Sequence, residues 1–161
     1  MPKVLVVYSS KSGNTRKLAE AIALGVKEVS GVECELKGVR EVSNGDLVAT
    51  DGIIIGSPVY FGSMSAEVKE MFDKSVAIRR RLEGKIGAAF ATSGHHTGGK
   101  ETTIFSILQA MLIHGMIIVG DPISAGGHYG VATVGSPDTD GINFGKALGK
   151  RVAEITKRLF S

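Results

Sequence analysis

The sequence predicts an α/β fold of three layers, in which a five-stranded parallel sheet of order 2-1-3-4-5 lies between helices on both faces. Apolar runs alternate with segments of helical periodicity along the chain, which is typical of parallel strands joined by helices. Residues 32–36 alternate apolar and polar side chains, as an edge strand does. The other runs are continuously apolar, as expected for strands buried on both faces. We therefore expect one domain over residues 1–161.

The individual elements follow from these periodicities. We expect strands at residues 3–8, 32–36, 52–56, 86–91 and 116–119, with a short further run at 131–134. Apolar residues at helical spacing predict helices that contain residues 18–29, 68–76, 104–112 and 144–160. Gly31 marks the end of the first helix. Residues 38–49 are polar and include Asn44-Gly45, so that a short helix and a loop both remain open there.

The composition excludes several classes of protein. The net charge is +3, and the basic residues lack the aromatic interleaving typical of nucleic-acid binding. Cys34 is the only cysteine, which excludes a disulfide framework within the chain and predicts a small apolar residue in a strand. No apolar stretch reaches the about 18 residues of a membrane span, and the N-terminal run is too short for a signal peptide. We expect a cytoplasmic protein without a nucleic-acid partner.

A turn rich in hydroxyl groups joins the first strand to the first helix. It reads Ser9-Ser10-Lys11-Ser12-Gly13-Asn14-Thr15. A helix N-terminus has unpaired N–H groups and a partial positive charge, and Gly13 lets the backbone approach an anion closely. The turn therefore indicates a phosphate site, although Ser, Asn and Thr are also ordinary helix-capping residues.

Two further loops follow predicted strands. The second loop contains Pro58, Val59, Tyr60, Phe61 and Gly62, and the third contains Thr92, Ser93, Gly94, His95, His96, Thr97 and Gly98. Because the carboxyl ends of parallel strands lie at one edge of a sheet, the three loops should meet where the strand order reverses. Open α/β sheets bind ligands in that crevice, which favours the phosphate interpretation of the first loop.

Missing motifs exclude several ligands of such sheets. The first loop lacks the Gly-x-x-x-x-Gly-Lys-Ser/Thr of nucleotidases and the Gly-x-Gly-x-x-Gly of dinucleotide-binding domains, since Gly13 is its one glycine. A receiver domain is also excluded, because Ser57-Pro58 stands where such a domain has its phosphorylated carboxylate. A cysteine-based phosphatase is excluded because Cys34 lies outside the loop.

The first loop resembles the phosphate loop of flavodoxins, and longer motifs are similar to those of the WrbA-type NAD(P)H:quinone oxidoreductases. These motifs are Gly56-Ser57-Pro58-Val59-Tyr60-Phe61-Gly62-Ser63-Met64, Gly98-Gly99-Lys100-Glu101-Thr102-Thr103, His114-Gly115-Met116 and Gly126-Gly127-His128-Tyr129-Gly130. The similarity covers nearly the whole chain and implies a flavodoxin-like fold. The chain departs from the family in having no tryptophan, and in Ile113, where the family has a histidine.

The resemblance implies an FMN-dependent enzyme that reduces quinones with NADH or NADPH and assembles as a homodimer or homotetramer. The first loop, from Ser9 to Thr15, would bind the FMN phosphate. The second loop would run along the isoalloxazine ring, and the third would cover its pyrimidine side and the ribityl chain. His95 and His96 could contact the flavin or protonate a reduced quinone, or could simply be exposed; we favour a backbone contribution from this loop, with no obligate catalytic side chain.

Two other functions fit the same fold. A flavodoxin-type electron carrier would share the cofactor loops but usually has an acidic docking face, against which the net charge of +3 argues. A regulatory module, in which FMN is structural or absent, is the third possibility.

Overall fold

The computed structural model describes residues 1–161, and its parallel sheet has the strand order that the sequence predicts. The strands are β1 (Lys3–Tyr8), β2 (Glu33–Gly38), β3 (Gly52–Pro58), β4 (Ile86–Ser93), β5 (Ile117–Ile118) and β6 (Val131–Val134). They lie in the order β2-β1-β3-β4, and β5 and β6 both pair with the far side of β4. The fifth position is thus divided, with β5 beside Ile86 and Gly87 and β6 beside residues 90–93.

The helices cover both faces of this sheet. They are α1 (Asn14–Lys27), α2 (Asn44–Val48), α3 (Ala66–Lys74), α4 (Lys100–Ile113) and α5 (Thr139–Phe160). Helix α2 occupies the polar segment that the sequence left open, and the Ser43 hydroxyl caps it by accepting the N–H of Asp46. Helix α5 begins at Thr139 rather than residue 144, because the Asp138 carboxylate caps it by accepting the N–H of Gly141 at 2.8 Å. None of the helices combines the length and apolar character that crossing a bilayer requires.

Two apolar cores lie on opposite faces of the sheet. In β1, Val4 and Val6 pack with α1 and α5, whereas Leu5 and Val7 pack with α3 and α4. All four side chains are fully buried, which explains the unbroken apolar run of this strand. Cys34 in β2 is half-buried against the first core, and this burial raises the pKa of its thiol.

Helices α1 and α5 approach each other closely through glycines. A Cβ added at Gly149 would lie 2.0 Å from the Ile22 carbonyl oxygen, and one added at Gly25 would lie 2.0 Å from that of Lys146. Both obstacles are backbone atoms, so that no side-chain rotation can make room for a larger residue. The contact holds α1, and with it the loop that precedes α1, in a fixed position on the sheet.

Replacing Gly149 by alanine should therefore lower the free energy of unfolding by about 1–3 kcal/mol, the usual cost of overpacking. Chemical denaturation measures this change. The matched control is Gly45→Ala in α2, where the added Cβ would lie 3.5 Å from the Ser43 hydroxyl. The control should leave stability unchanged or raise it by up to about 1 kcal/mol. Equal effects of the two substitutions would contradict this account of the helix contact.

Candidate functional site

The three loops singled out from the sequence meet at the carboxyl edge of the sheet. The hydroxyl oxygens of Thr15 and Thr92 lie 2.7 Å apart, which joins the first loop to the third. The second loop leaves the sheet after Pro58, and the N–H of Val59 donates to the Thr92 carbonyl at 2.9 Å. The predicted convergence of the loops is therefore present.

The first loop leaves backbone donors unpaired at the N-terminus of α1. Gly13 precedes the helix with a φ of +97° and provides no side-chain cap. The N–H of Gly13 donates to the Ser10 hydroxyl at 3.1 Å, whereas those of Asn14, Thr15 and Arg16 have no acceptor in the chain. Unpaired N–H groups at the positive end of a helix fit an anion such as a phosphate.

Ser9, at the start of the first loop, is linked to Glu67 and, through Glu67, to Arg40, two residues that the sequence did not single out. Its hydroxyl donates to Glu67 Oε2 at 3.0 Å, and the other carboxylate oxygen accepts Arg40 Nε–H at 2.8 Å. Arg40 and then Ser9 hold the pKa of Glu67 below its usual range, so that the carboxylate is ionised at neutral pH. The Ser9 hydroxyl hydrogen is thus already used within the protein. The sequence signal for Glu67, an acidic residue in the first turn of a helix, is too common to indicate this role.

The second loop is a tight hairpin with an exposed aromatic tip. Tyr60 and Ser63 exchange two backbone hydrogen bonds of 3.1 Å. Between them Phe61 and Gly62 have φ values of +49° and +72°, as in a type I′ turn. A positive φ is unusual for an aromatic residue, and the Phe61 side chain is fully exposed. Tyr60 is 39% exposed, and the Lys11 ammonium lies 5.5 Å from the centre of its ring.

The third loop is closed by short-range hydrogen bonds. Thr92 and Ser93 are buried at the end of β4, whereas residues 94–98 are exposed. The Ser93 hydroxyl donates to the His95 carbonyl at 2.7 Å, and His95 Nδ1 accepts the N–H of Thr97 at 3.2 Å. The neutral His95 ring therefore carries its proton on Nε2. The rings of both His95 and His96 are exposed, so this loop presents backbone and imidazole groups to solvent.

Three contacts that the sequence did not predict complete this edge of the sheet. The loop after β6 joins the third loop, because the N–H of Gly135 donates to the Ser93 carbonyl at 2.8 Å, and Lys17 in α1 donates to the Ser136 hydroxyl at 3.1 Å. The hairpin tip rests on the start of α4, where a Cβ added at Gly99 would lie 2.7 Å from the Gly62 Cα.

The donors and surfaces at this edge fit a phosphorylated ligand with a flat ring, such as FMN. The unpaired N–H groups before α1 suit the phosphate, and the exposed aromatic hairpin provides a wall for a ring. At Gly94 an added Cβ would meet no atom within 4 Å, so the backbone of the third loop is accessible there. A flavin needs these features: an apolar or aromatic wall and backbone donors along its polar edge.

The known proteins to which this chain is similar are named as FMN reductases, quinone dehydrogenases and flavodoxins. The family model for NADPH-dependent FMN reductase matches residues 44–130. A relative from Archaeoglobus fulgidus, named NAD(P)H dehydrogenase (quinone), is 38% identical over 99% of this chain and 100% of its own. A flavodoxin from Aquifex aeolicus is 36% identical over 96% of this chain and 86% of its own. The solved WrbA-like flavodoxin from Agrobacterium tumefaciens shares the fold, with a TM-score of 0.84 at 24% identity over 98% of this chain and 99% of that chain.

The backbone of Phe61 yields a prediction on stability. Phe61→Asn should raise the free energy of unfolding by about 1 kcal/mol, because asparagine tolerates a positive φ and the exposed ring loses no packing. Urea denaturation measures the effect. Phe61→Ala removes the ring but keeps the unfavourable φ, and should change stability by less than about 0.5 kcal/mol. A loss of stability in the asparagine variant would show that the Phe61 ring stabilises the fold.

Proposed function

Because the chain belongs to the NADPH-dependent FMN reductase family, we propose that it is an FMN-dependent oxidoreductase that reduces quinones by two electrons from NADH or NADPH. The relative named NAD(P)H dehydrogenase (quinone) supports this activity, since the similarity extends over both chains in full. The observation that carries the proposal is the set of unpaired N–H groups before α1, on the edge of the sheet that also holds the exposed aromatic hairpin.

The residues that would hold FMN come from all three loops. Residues 10–15 would bind the phosphate, with Ser9 as the support of this turn. Tyr60 and Phe61 would form the wall of the ring together with the backbone of residues 58–62, and residues 92–98 would offer backbone donors to its polar edge. Bound FMN supplies the two-electron redox chemistry. The protein binds and orients the flavin and limits its contact with water.

No side chain of the site is placed as an obligate acid or base. His95 is fixed by the bond from the Thr97 N–H to its Nδ1, and no carboxylate orients its ring. His96 is exposed and forms no hydrogen bond through its side chain. Both observations favour a contribution to flavin binding from the backbone of this loop and not from its side chains. The reduced quinone would then take its protons from solvent.

A flavodoxin-type electron carrier is the second candidate. The similarity to the Aquifex aeolicus flavodoxin favours it, because that relative is nearly as similar as the dehydrogenase. The net charge of +3 argues against it, since a carrier of this kind usually docks through an acidic face.

We also propose that the protein is a cytoplasmic homo-oligomer, a dimer or a tetramer, without a nucleic-acid partner. Val76, Leu112 and Ile113 are 71%, 59% and 71% exposed. Val76 and Ile113 line one open cavity of about 520 Å³ together with Phe72. An apolar surface of this kind on α4 and the segment after α3 favours contact with a second subunit.

The enzymatic activity is tested by a steady-state assay. Protein loaded with FMN should oxidise NADH or NADPH in the presence of a benzoquinone, measured as the loss of reduced-nicotinamide absorbance. The same protein freed of FMN is the control and should show no turnover. Protein that binds FMN but does not turn over would contradict the enzymatic proposal and favour the electron carrier.

The placement of the phosphate is tested by a pair of glycine variants. Gly13 and Gly84 have φ values of +97° and +78°, and at both an added Cβ would meet no atom within 4 Å. Alanine should therefore introduce a similar backbone strain of about 1–2 kcal/mol at each position. We expect the first loop to relieve this strain by moving, so that Gly13→Ala should weaken FMN binding about tenfold, whereas Gly84→Ala, which lies before β4, should not. Equilibrium dialysis measures both affinities, and equal affinities in the two variants would contradict the placement.

A further inference from the structure

Glu67 lies where three segments meet beside the first loop. It belongs to the first turn of α3, accepts the Ser9 hydroxyl at 3.0 Å and accepts Arg40 Nε–H, from the turn after β2, at 2.8 Å. Ser9 is 4% exposed, and its N–H donates to the Gly56 carbonyl of β3 at 3.1 Å. Glu67 therefore connects the buried first residue of the loop to α3 and to the turn after β2.

We infer that Glu67 is a positioning residue for the FMN phosphate: it fixes Ser9, and through Ser9 it holds residues 10–15 in the conformation that binds the phosphate. The inference rests on the proposed FMN function and deepens it. Glu67 touches no reacting atom, so its contribution is to the geometry of the turn and not to the redox step.

An opposing effect has to be weighed, because Glu67 is an anion close to a site proposed for another anion. Arg40 forms an ion pair with it. Two cations, Arg40 and Lys11, and two carboxylates, Glu67 and Glu41, line the same cavity of about 400 Å³, so that their charges balance. Repulsion of a phosphate is thereby reduced. Removal of the carboxylate, in contrast, would leave the hydroxyl of the buried Ser9 without an acceptor. Because an unpaired buried hydroxyl is unfavourable, the turn would have to move to give it a new partner. The positioning effect should therefore exceed the repulsion.

The two effects predict opposite results for substitutions of Glu67. If positioning dominates, Glu67→Ala should weaken FMN binding about tenfold, the size expected for one lost hydrogen bond to a charged group. Glu67→Gln keeps an acceptor for Ser9 and should stay within about threefold of the unsubstituted protein. If repulsion dominates, both variants should bind FMN more tightly, which would overturn the inference.

Riboflavin separates the role of the turn from a general loss of structure, because it has the same ring as FMN and no phosphate. Equilibrium dialysis of Glu67→Ala with both flavins should show the tenfold loss for FMN and a change of less than about twofold for riboflavin. An equal loss for the two flavins would indicate a merely structural role and would overturn the inference.

A double-mutant cycle tests whether Glu67 acts through Ser9. In a Ser9→Ala background no hydroxyl requires an acceptor, so the further substitution Glu67→Ala should weaken FMN binding by less than about threefold. Independent, multiplicative losses would overturn the inference. The proposed function fails separately, because it requires that the unsubstituted protein bind FMN. If the unsubstituted protein binds FMN and Glu67→Ala binds it with the same affinity, only the role of Glu67 is refuted.

Discussion

The parallel register of β1, β3 and β4 is the constraint on which the whole site depends. Tyr8 of β1 lies beside Gly56 of β3, and Pro58 of β3 lies beside Thr92 of β4. The strands therefore end almost level, and each following loop begins next to another. A slip of one residue would move every side chain of a strand into the core on the other face of the sheet, so close packing in both cores holds the register in place. The crevice is thus a consequence of core packing and not of contacts among the loops alone.

The sequence predicted the features that depend on local periodicity and on topology. Continuous and alternating apolar runs distinguish central strands from the edge strand, and the strand order then places three loops together. The bonds from Ser9 to Glu67 and from Lys17 to Ser136 were not predictable, because they join polar residues distant in the chain whose local surroundings are ordinary. The positive φ of Phe61 was missed because type I′ turns usually contain Asn-Gly or Asp-Gly.

Backbone conformation builds much of this site. Gly13, Gly62 and Gly99 all have positive φ at the crevice, and Phe61 shares this conformation without the freedom of glycine. Each directs main-chain groups or a loop tip toward the same edge of the sheet. The donors before α1 are N–H groups, which every residue other than proline carries, so their availability depends on the path of the chain more than on the identity of its side chains.

The divided outer strand has a consequence for how molecules of this protein meet. An unpaired strand edge offers N–H and C=O groups on which a foreign strand can add, the first step of many aggregates. Here that border consists of a two-residue and a four-residue piece separated by residues 119–130. The opposite border, β2, carries Glu35 bonded to lysines on both sides. The shortness of the two pieces at one border and the paired charges along β2 at the other both disfavour the addition of a foreign strand to the sheet.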